Sequence, residues 1–248
     1  MATLKAVATI KVGAGPLGVA IAPNGKTAVV TLQGPAGTTG DQVVVVNLAT
    51  DKVVATLVVG KNPEAVAITP NGSTAYVADL SSAEITPVNL TTSPPTVGSP
   101  IALPAGSAPA APRAIAISPN GATAYVLDGE NNAVIPVTLA TRKVGAPLVL
   151  ACSSSKDEGC APSAIAIDPS GTDAYVAAAG SGDVVEVSLA SMTVAKILEA
   201  DAYPDAVALY KGDVFVANGE SDTLTTDAGS KTTELPGFEY PYGVAVVS

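Results

Sequence analysis

The sequence predicts an all-β chain, a β-propeller of four-stranded antiparallel blades, and three observations carry that expectation. A sixteen-residue phrase recurs from end to end at intervals of 37 to 50 residues, a period that belongs to propeller blades or solenoid turns. Within each copy the apolar residues alternate with a period near two, and no segment shows the 3.6 period of a helix. Hydrophobic residues are 48% of the 248, mostly Ala and Val, and they are broken by 23 Gly and 20 Pro. Many short strands joined by tight turns have that composition.

The phrase is clearest as PEAVAITPNGSTAYVA from Pro63. It returns as PLGVAIAPNGKTAVVT from Pro16, PRAIAISPNGATAYVL from Pro112 and PSAIAIDPSGTDAYVA from Pro162. A degenerate copy, PDAVALYKGDVFVA, starts at Pro204, and PYGVAVVS runs from Pro241. Val66-Ala67-Ile68 is a short apolar run, as an innermost strand buried on both faces requires. Pro70-Asn71-Gly72 is a hairpin turn in which Asn-Gly is expected to supply positive φ angles, and Tyr76-Val77 opens a second strand. Third strands follow at 43–48 in the first unit and 133–137 in the third, and 53–59 is a fourth. The Pro/Thr/Ala-rich stretch 91–112 reads as an outer strand of the second blade, 100–103, flanked by enlarged loops.

Five complete units therefore begin at 16, 63, 112, 162 and 204. Segments 4–13 and 240–248 match a fourth and a first strand, so the expectation is one domain of about six blade positions, closed by its termini. The two middle strands of that closing blade are missing. It is expected to be either a two-strand closure or an open edge that pairs with another copy.

These residues resemble the bacterial and archaeal YVTN-type β-propeller repeat. Tyr76-Val77-Ala78-Asp79, Tyr125-Val126-Leu127-Asp128 and Phe215-Val216-Ala217-Asn218 are similar to its Tyr-Val-Thr-Asn step. Leu48-Ala49-Thr50-Asp51-Lys52-Val53 and Leu139-Ala140-Thr141-Arg142-Lys143-Val144 are similar to the turn that follows. The resemblance covers essentially the whole chain. It implies the propeller fold but no single function, since relatives include surface-layer proteins, lactonase-like enzymes and redox-enzyme subunits.

Composition narrows the chemistry. The chain has no His, which removes Ser-His-Asp and Cys-His catalysis and every histidine-ligated metal. Net charge is −10 with only 12 Lys plus Arg, so a phosphate backbone is repelled and nucleic acid is not an expected partner. No apolar run approaches the roughly 18 residues of a membrane helix. Cys152 and Cys160 enclose a Ser/Gly-rich loop that can close as a disulfide, which implies an oxidising compartment. Met1-Ala2-Thr3-Leu4 leads directly into alternation, so an export signal is expected to have been removed. The sequons Asn71-Gly72-Ser73 and Asn89-Leu90-Thr91 are weak, the first being explained by its hairpin.

Two sets of residues are candidates for a site. The position after each repeat proline changes in every copy while its surroundings hardly change: Leu17, Glu64, Arg113, Ser163, Asp205 and Tyr242. In a propeller this position rims the ring opening, so these six are the expected ligand-binding residues. Asp79, Asp128, Glu130, Glu220 and Asp222 superficially suggest calcium ligands, but Asp79, Asp128 and Asn218 fall where a short polar side chain bonds its own turn. No metal site and no catalytic residue is assigned, and calcium is the one cofactor the residues would allow. Glu64 and Asp205 are the one carboxylate pair that could converge for glycoside hydrolysis, without support from spacing. The expected function is a non-enzymatic, secreted or cell-surface scaffold that binds a protein or cell-surface component, or its own copies. The alternative is a lactonase-like hydrolase with a cation held by carboxylates at the opening.

Overall fold

The computed structural model describes residues 8–153, 159–226 and 240–244. The chain divides into two compact units, 1–102 and 103–248. The first unit holds two sheets. One is β1 (Pro16–Ile21), β2 (Thr27–Leu32), β3 (Gln42–Asn47) and β4 (Lys52–Val58), paired in sequence order. The other is β5 (Pro63–Ile68), β6 (Thr74–Asp79) and β7 (Glu84–Asn89), followed by two short strands, β8 (Thr96–Val97) and β9 (Ile101–Ala102), which both pair with β7. The outer strand expected at 100–103 is thus one of two pieces. A 3-10 turn, Leu80–Ser82, is the one helical element among the described residues.

The second unit holds three sheets. β10 (Pro112–Ile117), β11 (Thr123–Asp128) and β12 (Ala133–Thr138) carry a split outer strand, β13 (Lys143–Val144) and β14 (Leu148–Val149). β15 (Pro162–Ile167), β16 (Asp173–Ala178), β17 (Asp183–Ser188) and β18 (Thr193–Glu199) form a complete blade. β19 (Pro204–Tyr210), β20 (Asp213–Asn218) and β21 (Thr223–Thr226) form the fifth. Its fourth strand, expected in the sequence, falls outside the described residues.

The hairpins between first and second strands correct one expectation. Only the glycine has positive φ, at Gly25 (67°), Gly72 (72°) and Gly121 (70°). The asparagine instead accepts a backbone N–H two residues on: Asn24 from Lys26 at 2.8 Å, Asn71 from Ser73 and Asn120 from Ala122, both at 2.9 Å. The turn is thus a four-residue loop held by an Asx cap, because Asn bonds its own backbone more cheaply than it adopts left-handed φ.

Within each unit an inner strand covers the blade before it. In the first unit Val66 and Ile68 of β5 pack on Val29, Val43 and Val45. In the second, Ile165 and Ile167 pack on a cluster with Tyr125, Leu127 and Val134. These side chains are partly buried, so each contributes less than the about 1.5–3 kcal/mol of a fully buried one. The equivalent residues of β1 lack such cover among the described residues of the first unit. Val19 is 65% exposed and Ile21 60%.

Of the expected closing blade, only 8–13 and 240–244 lie among the described residues. Residues 8–13 form no strand. Ile10 and Val12 nevertheless pack against Ala28, Leu32, Val44 and Val46, so the alternation there marks one apolar face laid on the first sheet. Residues 241–244 form no strand either, and 1–7 and 245–248 lie outside the described residues.

Candidate functional site

One backbone device repeats at the inner end of every blade. The repeat proline pairs with the last residue of the second strand: Pro16 with Leu32, Pro63 with Asp79, Pro112 with Asp128, Pro162 with Ala178 and Pro204 with Asn218. The register then slips by one residue, placing a β-bulge at the position after the proline. The residue before the proline turns its carbonyl to the next N–H of the same hairpin. Gln33 donates to Gly15, Leu80 to Asn62, Gly129 to Ala111, Ala179 to Ala161 and Gly219 to Tyr203. Four of these five acceptors reach the geometry through positive φ: Gly15, Asn62, Ala161 and Tyr203.

The variable position of the sequence is therefore the bulged residue of each inner strand. A bulge leaves its residue unpaired and re-aims the side chain, which is why this position can change while its neighbours cannot. Leu17, Glu64, Arg113, Ser163 and Asp205 all occupy it. Tyr242 does not, lying outside any described strand at 73% exposure.

Three of the five converge. Arg113, Ser163 and Asp205 come from β10, β15 and β19, which pack in that order. They line one cavity of about 210 Å³ together with Gly129, Ala179 and Tyr203. Leu17 and Glu64 belong to the first unit and line no cavity described there. The Glu64 carbonyl accepts the Thr31 hydroxyl at 3.2 Å, tying β5 to β2.

Within the cavity the three side chains differ in availability. The Ser163 hydroxyl donates to the Pro204 carbonyl at 2.7 Å, so it ties β15 to β19. The Asp205 Oδ2 is buried and has no hydrogen-bond partner. Burial, then the charge of Glu220, pushes this carboxyl above its usual range. Gly219 packs on it so closely that a Cβ there would collide with Oδ2. Gly129 stands in the same relation to Arg113, where a Cβ would lie 2.5 Å from Cδ. Both glycines follow the buried polar residue of the second strand, and in the sequence they read as ordinary turn glycines. Tyr203, 40% exposed, carried no signal because its position is set by the carbonyl it turns toward Gly219.

The acidic turn set divides. Asp128 bonds its own turn as expected, accepting from Glu130 at 3.1 Å and Asn131 at 3.2 Å, and also from Ala111 at 3.0 Å. Asp79 does not. The residues after it send their N–H groups to Asn62 and Lys61, and its Oδ1 has no donor. Its Oδ2 accepts the Thr86 hydroxyl at 2.5 Å. Burial raises Asp79 to about 7; the Thr86 bond opposes this, Glu84 adds to it, and the Gly60 backbone opposes it. Asn218 bonds across to Thr223 at 3.1 Å and Thr225 at 2.7 Å rather than to its turn. Asp222 accepts the Tyr240 N–H at 2.7 Å. Glu130 and Glu220 are exposed, and no group of three or more metal-ligating side chains occurs among the described residues.

The disulfide is present: Cys152 and Cys160 are bonded, with Cα atoms 5.6 Å apart. Ser153, beside it, donates its N–H and hydroxyl to buried Asp183, anchoring that loop on β17.

Repeated antiparallel blades with bulged inner strands define a β-propeller. The chain belongs to the lactonase family, described as lactonase, 7-bladed beta-propeller, whose model matches residues 5–233. No curated protein matches it. Among solved structures it is similar to a functionally unknown protein from Desulfotomaculum acetoxidans, with a TM-score of 0.71 and 18% identity over 93% of this chain and 74% of that one. It is equally similar in fold to the β-propeller domain of Myceliophteria thermophila Cps50 (Swd1), with a TM-score of 0.71 and 15% identity over 89% of this chain and 66% of that one.

Proposed function

We propose that this chain, built from repeats of the YVTN type, is a lactonase-type hydrolase acting at the cavity of its second unit. The observation that carries the reading is the unpartnered Asp205 Oδ2 in the same cavity as Arg113. A carboxylate raised above its usual range, and lacking a donor, is suited to take a proton from water. The water oxygen then adds to the carbonyl carbon of the cyclic ester, and the guanidinium donates to the oxygen on which negative charge develops. When the ring C–O bond breaks, the alkoxide takes the proton back from Asp205, giving the hydroxy acid. Family membership supports the reaction class.

The test is ring-opening of a panel of simple γ- and δ-lactones, followed by proton release. Asp205→Asn is expected to lower kcat about 100-fold or more, and Arg113→Gln to lower kcat/KM. An inactive wild type, or full activity in Asp205→Asn, overturns the reading. Calcium enters the same assay: loss of turnover on chelation would move the electrophile's role from Arg113 to a carboxylate-held cation.

A second reading is favoured by one observation, the exposed stripe Leu17, Val19 and Ile21 on β1. It is a scaffold that binds a protein, a cell-surface component or its own copies. Under either reading the disulfide supports an extracellular or cell-surface location. A strictly monomeric species by light scattering at high concentration removes self-assembly, and cell fractionation tests the location.

A further inference from the structure

Three hairpins between first and second strands carry an Asn-Gly pair, at 24–25, 71–72 and 120–121, and none lines the Asp205 cavity. Asparagine is a thermolabile residue, and before glycine no side chain shields the following nitrogen from its amide. All three asparagines are exposed. Two restraints are common to the three hairpins. The glycine N–H donates to the carbonyl three residues back, Gly25 to Ala22 at 2.8 Å, Gly72 to Thr69 at 2.7 Å and Gly121 to Ser118 at 2.8 Å. The asparagine Oδ1 accepts the N–H two residues on. A third restraint exists in only two of them. The Thr69 hydroxyl donates to the Asn71 Oδ1, and the Ser118 hydroxyl to the Asn120 Oδ1, both at 2.7 Å. Those hydroxyls in turn accept the N–H groups of Thr74 at 3.1 Å and Thr123 at 3.0 Å, which fixes them across the turn. In the first hairpin the same place is held by buried Ala22, which has no hydroxyl to give.

We propose that Asn24 is a site of spontaneous deamidation, and that Asn71 and Asn120 are spared by the hydroxyl two residues before them. The Gly25 nitrogen loses its proton to solvent base and bonds to the Asn24 Cγ. The Nδ2 leaves as ammonia, and a five-membered succinimide remains. Water then opens that ring at either carbonyl, giving aspartate or isoaspartate. Attack requires the Cγ to turn toward the glycine nitrogen, so the Oδ1 must first leave the donors that hold it. One such bond is released at Asn24 and two at Asn71 and Asn120. The product adds a negative charge to a chain already at −10, and isoaspartate lengthens the backbone of the β1–β2 turn. The site stands whether or not the Asp205 cavity is an active site.

The test incubates the folded chain at mildly alkaline pH and reads the exchange of amide for acid at each asparagine by peptide mass mapping. The same chain held unfolded in urea runs beside it. Asn24 is expected to convert about fivefold faster than Asn71 and Asn120 in the folded chain, and the three rates should come together in urea. Ala22→Ser supplies the missing hydroxyl and is expected to slow Asn24 to the rate of the other two. Ser118→Ala removes one and is expected to raise Asn120 to the rate of Asn24. Ala and Ser both occur at this place in sister hairpins, so both variants keep the turn. Equal rates in the folded chain, an order that persists in urea, or exchanges at 22 and 118 that leave the rates unchanged overturn the proposal.

Discussion

At the inner ends of their second strands, the second and fifth blades carry the same buried pair, one charge apart. In the fifth, Asn218 donates to Thr225; in the second, Asp79 accepts from Thr86. Both side chains are 0% exposed, and each leaves one oxygen without a donor. The amide is neutral, so its orphan oxygen costs one lost hydrogen bond. The carboxylate must be desolvated as a charge, and burial accordingly raises it to about 7. The third blade shows the other solution: Asp128 is 2% exposed, yet Ala111, Glu130 and Asn131 point N–H groups at it. The position tolerates a charge where the following turn folds back and resists it where the turn runs outward.

Asp79→Asn should have the largest effect. The folded pKa, about 7, lies above the ordinary value of 3.8, so the folded state holds the proton more tightly. The resulting stability is fully present below about pH 4 and is lost as pH rises through about 7. At roughly 1.4 kcal/mol per pKa unit this is on the order of 4 kcal/mol. In chelator, urea unfolding of the wild type should lose stability between pH 4 and 8, whereas Asp79→Asn should be flat and more stable at pH 8. A parallel pair of pH profiles would break the comparison.

The reverse exchange sharpens it. Asn218→Asp removes both donations to Thr223 and Thr225 and places a charge where no N–H is aimed. A loss of about 3 kcal/mol at pH 8 is expected, largely recovered at pH 5, where the new acid is protonated. Equal loss at both pH values would mean that shape, not charge, governs the position.

Asp128→Ala should cost about 2 kcal/mol, because it leaves buried or half-buried N–H groups of Ala111, Glu130 and Asn131 without an acceptor. The loss is read from urea unfolding.

The blades, their strand order and the disulfide were legible because repetition multiplies a weak pattern. The bulge was legible in part: residues 17, 64, 113, 163 and 205 vary because a bulged side chain is released from the ladder. That Arg113, Ser163 and Asp205 share a cavity was not, since it depends on packing between β10, β15 and β19. The difference between Asp79 and Asp128 was hidden for a similar reason. Both begin the same turn, and the direction of the next three N–H groups is set by whether they meet Asn62 and Lys61 or fold back. Within 8–13 the alternation reports one apolar face, which Ile10 and Val12 fulfil by packing without a ladder.

The smallest effect belongs to the ion pair beside the Asp79 site. Lys61 and Asp41 meet at 2.6 Å, but their side chains are 57% and 33% exposed. Water screens such a pair, and holding the long lysine chain costs entropy, so exposed pairs contribute about 0–1 kcal/mol. Lys61→Gln should therefore lower the unfolding free energy by no more than about 0.5 kcal/mol, and 1 M salt should erase even that. A larger loss would show that Lys61 compensates Asp79 and Glu84 electrostatically, although its ammonium is turned to Asp41. In that case the loss should disappear in the Asp79→Asn background, and the double-mutant cycle reads that coupling directly.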